Sequence, residues 1–299
     1  MIESAQDAAH RDQLRMVSDV WNVDAITAHV RDAVAAAAVL TDPFPHLIID
    51  KLLPTTAFDA VLEAIPPEEF FGGENPRHRD LKMKNPGLSP LPPFSKAIWS
   101  SLSRDVVADV LGPALAERLR PLAGDYLRVS VGEEFVDEAL ALPLETRGLR
   151  LMLRRPGWNL APHLDPRDQF MTTLLYLARP EDPEDYGTQL FRVHRDNFVA
   201  TWANTYYPEA EGLRCELAKT LPFRGNVCLS FLNLGGGAHG AGLPAEAPAN
   251  LKRYAFQFYM GPERESLKAL VGRLSPERQI AWTRRVKKKD RKKLLHGTT

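Results

Sequence analysis

The run LRLMLRRPGWNLAPHLDPRDQFMTTLLYLA, residues 149–178, decides the fold class. It holds three short apolar or alternating runs, 149–155, 159–164 and 171–178, and Pro156-Gly157 makes a turn after the first. Runs of this length bounded by turn residues read as strands. The same texture continues outward through 126–131, 188–193, 198–202, 226–232 and 254–260. Closely spaced short strands predict an antiparallel sandwich or barrel rather than a parallel α/β sheet.

Upstream the pattern is helical. Ile26, Val30, Val34 and Val39 recur near helical spacing in 24–40, and Asp42-Pro43 closes that stretch. Residues 44–50 read as a short buried strand, 55–65 as a helix stopped by Pro66-Pro67, and 95–111 and 113–122 as helices. Residues 70–93, rich in Pro, Gly and charge, read as a long loop. After Gly261-Pro262 the chain turns helical again, with Ser275 as N-cap and Pro276 at the first helical position. The expected layout is one domain: a mainly helical support over 1–125, a β core over 126–262, and C-terminal helices with a basic tail over 263–299.

Composition narrows the function classes. The 299 residues are 44% hydrophobic and 25% charged, enough to bury a core without disulfides or structural metal. Lys+Arg and Asp+Glu balance at 38 each, so the whole molecule has no general pull on nucleic acid. The balance hides a segregation, because Arg284 to Lys293 carries eight basic residues and one acid. That tail reads as a solvated helix; without interleaved aromatics a nucleic-acid role is not expected. Two cysteines, Cys215 and Cys228, exclude a disulfide framework and a CxxC metal pair. The N-terminus lacks an apolar h-region and the longest apolar run, 33–40, is too short to span a bilayer. Together these point to the reducing cytoplasm and no membrane partner; oligomeric state is not legible.

A histidine two residues before an aspartate can chelate an ion when a strand puts both on one face. The tripeptide occurs four times, at His10/Asp12, His78/Asp80, His163/Asp165 and His194/Asp196. The first lies in a polar terminus and the second in the charged loop. Of the two in strand territory, His163/Asp165 is favoured, because Leu164 between them suits a strand with one face buried, whereas Arg195 suits a solvated one. A third ligand is available in His239, within Gly235-Gly236-Gly237-Ala238-His239-Gly240. These six also match GxGxxG, but Pro244 and Pro248 deny the helix that a dinucleotide site needs. The choice there lies between a glycine turn with an incidental histidine and a ligand with room around it. Two histidines and a carboxylate form a facial set suited to non-haem Fe(II). Arg253, opening the aromatic strand 253–259, is either a snorkelling strand end or a carboxylate fork, a task Lys252 could do more weakly.

In order, Pro43 to Asp50 with Leu53-Pro54, Pro156-Gly157, His163-Leu164-Asp165, Met171 to Leu177, Tyr186 to Phe191, Pro222 with Arg224-Gly225-Asn226, His239, and Arg253 with Gln257 to Met260 resemble the Fe(II)/2-oxoglutarate-dependent oxygenases, most of all their prolyl-4-hydroxylase-like branch. The resemblance implies a mainly β fold with helical support, a double-stranded β-helix (cupin-like jelly roll) braced by N-terminal helices. It implies Fe(II) on His163, Asp165 and His239, 2-oxoglutarate with its distal carboxylate on Arg253, consumption of O2, and ascorbate as accessory reductant. The implied outcome is hydroxylation with release of succinate and CO2, since the halogenating relatives lack the carboxylate that Asp165 supplies. Proline is not carried over as substrate. A small molecule or a peptide fits, and Arg150, Arg154, Arg155 and Arg167 suit either an anionic substrate or a solvated strand edge. Residues 203–221 read equally as a loop over the barrel mouth or as packed surface. The competing class is a non-catalytic metal- or ligand-binding cupin-like module.

Overall fold

The structure is a computed structural model that describes residues 14–84, 86–194, 203–233 and 236–285. Eight strands wind between two antiparallel sheets: β4 (Leu144–Arg154), β5 (Asn159–His163), β6 (Met171–Tyr176), β7 (Gln189–Val193), β8 (Cys215–Thr220), β9 (Cys228–Leu232), β10 (Ala238–Gly242) and β11 (Arg253–Pro262). One sheet runs β9-β6-β11-β4 and the other β5-β10-β7-β8. That order is the double-stranded β-helix. The first sheet is widened by β1 (Val39–Leu40) and β2 (His46–Ile49) beside β9, and by β3 (His78–Lys82) beside β4.

The period of two along β4 and β11 explains their burial on both faces. Leu151 and Leu153 of β4, with Tyr254, Phe256, Phe258 and Met260 of β11, join the large apolar core. Arg150, Met152 and Arg154, with Arg253, Gln257 and Tyr259, line a cavity on the opposite face. The core side is completed by helices: α1 (Val23–Ala36), α2 (Thr55–Glu63), α3 (Pro93–Ser101) continuing through a widened turn at Leu102–Leu111 into α4 (Gly112–Leu119), then α5 (Gly124–Val131) and α6 (Val136–Ala141). Trp99 is fully buried, its ring centroid 5.5 Å from that of Phe256, and its Nε1 donates to Ala64 O at 2.8 Å. We expect Trp99→Ala to lower unfolding free energy by about 3–5 kcal/mol, read by denaturant titration. A loss under 1 kcal/mol would show that the helical layer does not brace the sheet.

Two sequence pieces far apart in the chain meet here. Asn226, in the left-handed region at φ 63°, accepts from Leu53 N at 2.9 Å and donates to Leu53 O at 2.7 Å. The side-chain amide thus mimics a strand partner and ties the start of β9 to the segment leading into α2. Beyond the core, α7 (Arg264–Val271) and α8 (Pro276–Thr283) follow, and Ser275 caps α8 by accepting from Arg278 N, as read from the sequence.

Four expectations are corrected. Residues 126–131 form a helix and not a strand, because Leu127, Ser130 and Val131 bury at helical spacing against neighbouring helices. The charged loop 70–93 contains β3, an edge strand whose charge suits its exposed position. Within the glycine segment, Ala238, His239 and Gly240 belong to strand β10. A Cβ on Gly240 would stand 2.7 Å from Leu160 O, so glycine lets β5 approach closely. Part of 203–221 is strand β8 at the edge of the second sheet. The strand read at 198–202, the His10/Asp12 pair, Asp196, and the basic tail beyond Arg285 lie outside the described residues. Among the described residues no helix is long and apolar enough to cross a membrane.

Candidate metal centre and its cavity

Strand pairing assembles the centre. In the antiparallel β5–β10 pair His239 stands directly opposite His163, which places both imidazoles on one face with ring centroids 4.3 Å apart. Asp165 follows two residues after His163. Its Oδ1 lies 3.7 Å from His163 Nε2 and its Oδ2 3.5 Å from His239 Nε2. All three side chains are buried and offer ligand atoms within 4.8 Å of one another. Among the described residues this is the group of His, Cys, Asp and Glu that converges in this way.

The histidines are oriented from behind. Nδ1 of His163 lies 3.0 Å from Ala161 O and Nδ1 of His239 lies 3.1 Å from Gly237 O. A carbonyl can only accept, so each Nδ1 carries the proton and each Nε2 turns a lone pair toward Asp165. Burial, reinforced by the neighbouring His163, pushes His239 down to about 4 and keeps it neutral at pH 7. Burial opposes ionisation of Asp165; the Thr172 hydroxyl and the positive field of Arg150 favour it, and the carboxyl stands below its usual range. Thr172 Oγ1 donates to Asp165 Oδ2 at 2.7 Å, and Asn233 Nδ2 donates to Thr172 Oγ1 at 2.6 Å. The amide fixes the hydroxyl, and the hydroxyl fixes the carboxylate.

The three ligand atoms open onto a cavity of about 380 Å³ between the sheets. Arg253 also lines it, fully buried, with its Nε donating to Tyr186 O at 2.6 Å and its guanidinium 5.5 Å from the Tyr176 ring and 5.0 Å from the Phe223 ring. Burial pushes Arg253 down to about 10, which leaves it charged at neutral pH. Thr188 lines the same cavity, and its buried Oγ1 has no hydrogen-bond partner. Its backbone N–H donates to Tyr176 Oη at 3.0 Å. An unsatisfied hydroxyl beside a buried fork fits a carboxylate oxygen.

The remaining sequence candidates fall elsewhere. Lys252 turns away to Glu68 at 2.8 Å. His194 pairs with Glu216 at 2.7 Å on the exposed edge between β7 and β8. His78 and Asp80 sit on β3, where Asp80 meets Arg154 at 2.8 Å and His78 reaches the cavity rim. Arg155 pairs with Glu68. Thr172, Thr188, Tyr176 and Asn233 were not singled out from the sequence. The alternation of Arg253, Gln257 and Tyr259 with aromatic residues was the visible signal that β11 has a polar inner face. Nothing local marked Asn233.

The donor set fits a first-row divalent ion: two neutral imidazole nitrogens and one carboxylate, converging from one side and open on the other.

No protein-family model matches this sequence, and no curated protein matches it. Similar solved structures exist. HygX from Streptomyces hygroscopicus, with nickel, 2-oxoglutarate and hygromycin B bound, is 16% identical with a TM-score of 0.39 over 73% of this chain and 83% of that one. A Pseudomonas putida prolyl-4-hydroxylase is 15% identical with a TM-score of 0.34 over 80% of this chain and 100% of that one. SnoK, a non-haem α-ketoglutarate-dependent carbocyclase from nogalamycin biosynthesis, is 13% identical with a TM-score of 0.40 over 81% and 86%. At these identities and scores the chemistry has to be argued from the side chains of this chain. The structures named here are a protein solved with iron or with nickel and 2-oxoglutarate, a prolyl-4-hydroxylase and an α-ketoglutarate-dependent carbocyclase, and the strand order of this chain is that of the double-stranded β-helix.

Proposed function

We propose that this chain is an Fe(II)- and 2-oxoglutarate-dependent oxygenase that hydroxylates an unactivated C–H bond of a small-molecule or peptidyl substrate. The observation that carries the reading is the shared cavity: a facial His163, Asp165, His239 set and a buried carboxylate fork, Arg253 with Thr188, open onto one cavity. Iron bound by the three ligands supplies the activation of O2 that couples decarboxylation of 2-oxoglutarate, to succinate and CO2, with oxidation of the substrate. The helical support over 1–125 and the C-terminal helices belong, in this reading, to the same domain as the core.

The roles of the protein groups follow from their positions. Arg253 and the Thr188 hydroxyl take the distal carboxylate of 2-oxoglutarate, and the Thr188 N–H bond to Tyr176 Oη keeps that hydroxyl in place. A planar fork grips a carboxylate through two parallel bonds, so it sets orientation as well as affinity. Thr172 and Asn233 hold Asp165 in one rotamer as an ionised ligand. Met152, Trp158, Leu160 and Leu174 line the cavity between its polar ends and limit water around the reacting groups. Both cysteines are free thiols, which suits a reducing cytoplasm where iron stays ferrous.

An anaerobic titration with Fe(II), then 2-oxoglutarate, tests the reading. A weak visible metal-to-ligand charge-transfer band is expected only when both are present. No band, with no succinate formed aerobically, would leave a barrel that binds metal or ligand without turnover.

A further inference from the structure

One cation on the cavity wall has no task in the proposed reaction. Arg150 projects from β4 opposite Gln257 of β11. Its Nε donates to Gln257 Oε1 at 2.6 Å and its Nη2 donates to Tyr259 Oη at 2.9 Å. Both partners are neutral. The carboxylate of Asp80 stands 3.8 Å from Arg150 Nη1, beyond hydrogen-bond reach, and is already engaged by Arg154 at 2.8 Å. Two neutral acceptors therefore fix the plane of the Arg150 guanidinium, whose charge is met only at a distance, by Asp80 at 3.8 Å and by the field of Asp165.

The charges around the cavity sharpen this. A doubly charged metal with Asp165, and doubly charged 2-oxoglutarate with Arg253, sum to zero. Arg154 and Asp80 cancel. Arg150 is the cation left over, with a side chain 32% exposed. A cation held in a partly desolvated cavity draws an anion there.

Position assigns that anion to the substrate. Gln257 lies four residues along β11 from Arg253, about 13 Å at the rise of an extended strand. Arg150 therefore lies well along the sheet from the 2-oxoglutarate fork. Tyr259, its other partner, is in register with Thr172, the residue that holds Asp165. Arg150 thus stands at the metal end of the cavity. A locked planar fork matches a carboxylate bidentately. No lysine lines this cavity among the described residues to serve a phosphate dianion.

We infer that the substrate carries a carboxylate and that Arg150 holds it, presenting the adjacent carbon atoms to the His163–Asp165–His239 centre. This rests on the oxygenase reading above and narrows it to organic acids or peptide C-termini and acidic side chains.

The test uses N-acetyl amino acids paired with their primary amides, titrated calorimetrically into the full chain loaded with Ni(II) and saturating 2-oxoglutarate. At least one acid is expected to bind tenfold or more tightly than its amide. Arg150→Gln should erase that difference, and Arg150→Lys, keeping charge without the fork, should retain part of it and guard against a folding artefact. No acid preferred over its amide in the wild-type protein, or a preference that survives Arg150→Gln, overturns the assignment. The Fe(II) and 2-oxoglutarate charge-transfer band separates the two readings. A band without acid preference removes the Arg150 assignment alone. An Arg150-dependent preference without a band keeps the carboxylate site and removes the oxygenase.

Discussion

Replacing His239 by alanine is expected to abolish iron-dependent succinate formation and to weaken Fe(II) binding by more than the 10–100-fold that a residue merely supporting a ligand is worth. His163→Ala and Asp165→Ala should do the same. Each removes one of three donors from a set held within 4.8 Å, and no other His, Cys, Asp or Glu among the described residues joins that group to replace it. The change should spare the fold, because the imidazole Nε2 atoms serve no structural bond and only their Nδ1 atoms pair with backbone. Circular dichroism and denaturation midpoints should therefore stay near wild type while anaerobic metal binding falls away. His194→Ala supplies the contrast. That histidine pairs with Glu216 on an exposed strand edge, where solvent screens the contact, and its loss should leave iron binding intact. Loss of binding in a well-folded His194→Ala, with binding retained in His163→Ala, would mean that the other HxD pair holds the metal.

What made the choice between those pairs readable was the residue in the middle. Leu164 is buried between two ligating positions, as a strand with a wet face and a dry face requires, and it packs with Tyr206 and Ala238. Arg195 could not do that. The same logic located β6, β9 and β11 within a few residues and the Ser275 cap of α8. It failed where local pattern and tertiary environment disagree. β3 carries His78, Arg79, Asp80 and Lys82 and looks like solvent, yet its backbone completes a sheet edge that cannot be seen from its own side chains. The glycine segment around His239 looks like a turn, whereas Gly240 within it is the small residue that lets β10 lie against β5. Residues 126–131 have strand-like composition but are claimed by neighbouring helices. The hydrogen-bonded chain from Asn233 through Thr172 to Asp165 spans 68 residues of sequence, and a single-residue motif cannot announce a contact of that range.

The co-substrate fork gives the second large expectation. Arg253→Gln should raise the KM and Kd for 2-oxoglutarate on the order of 100-fold, since truncating one partner of a buried, hydrogen-bonded charge pair costs about 2–5 kcal/mol. The stability readout separates a binding role from a structural one. With no ligand, burial disfavours the charged Arg253 and only a single hydrogen bond, to Tyr186 O, holds its Nε. The variant without ligand should then unfold within a few degrees of wild type. Ligand present at about 100 times its Kd stabilises a protein by roughly 2.7 kcal/mol. Wild-type protein with Ni(II) should show that upward shift on addition of 2-oxoglutarate, and Arg253→Gln at the same concentration should show almost none. Arg154, directly across the strand pair from Arg253, is the competitor for this role, but its Nη1 is committed to Asp80 at 2.8 Å. An Arg253→Gln protein that kept the full 2-oxoglutarate shift, while Arg154→Gln lost it, would move the fork across the strand pair. The metal centre would stay where His163 and His239 face each other.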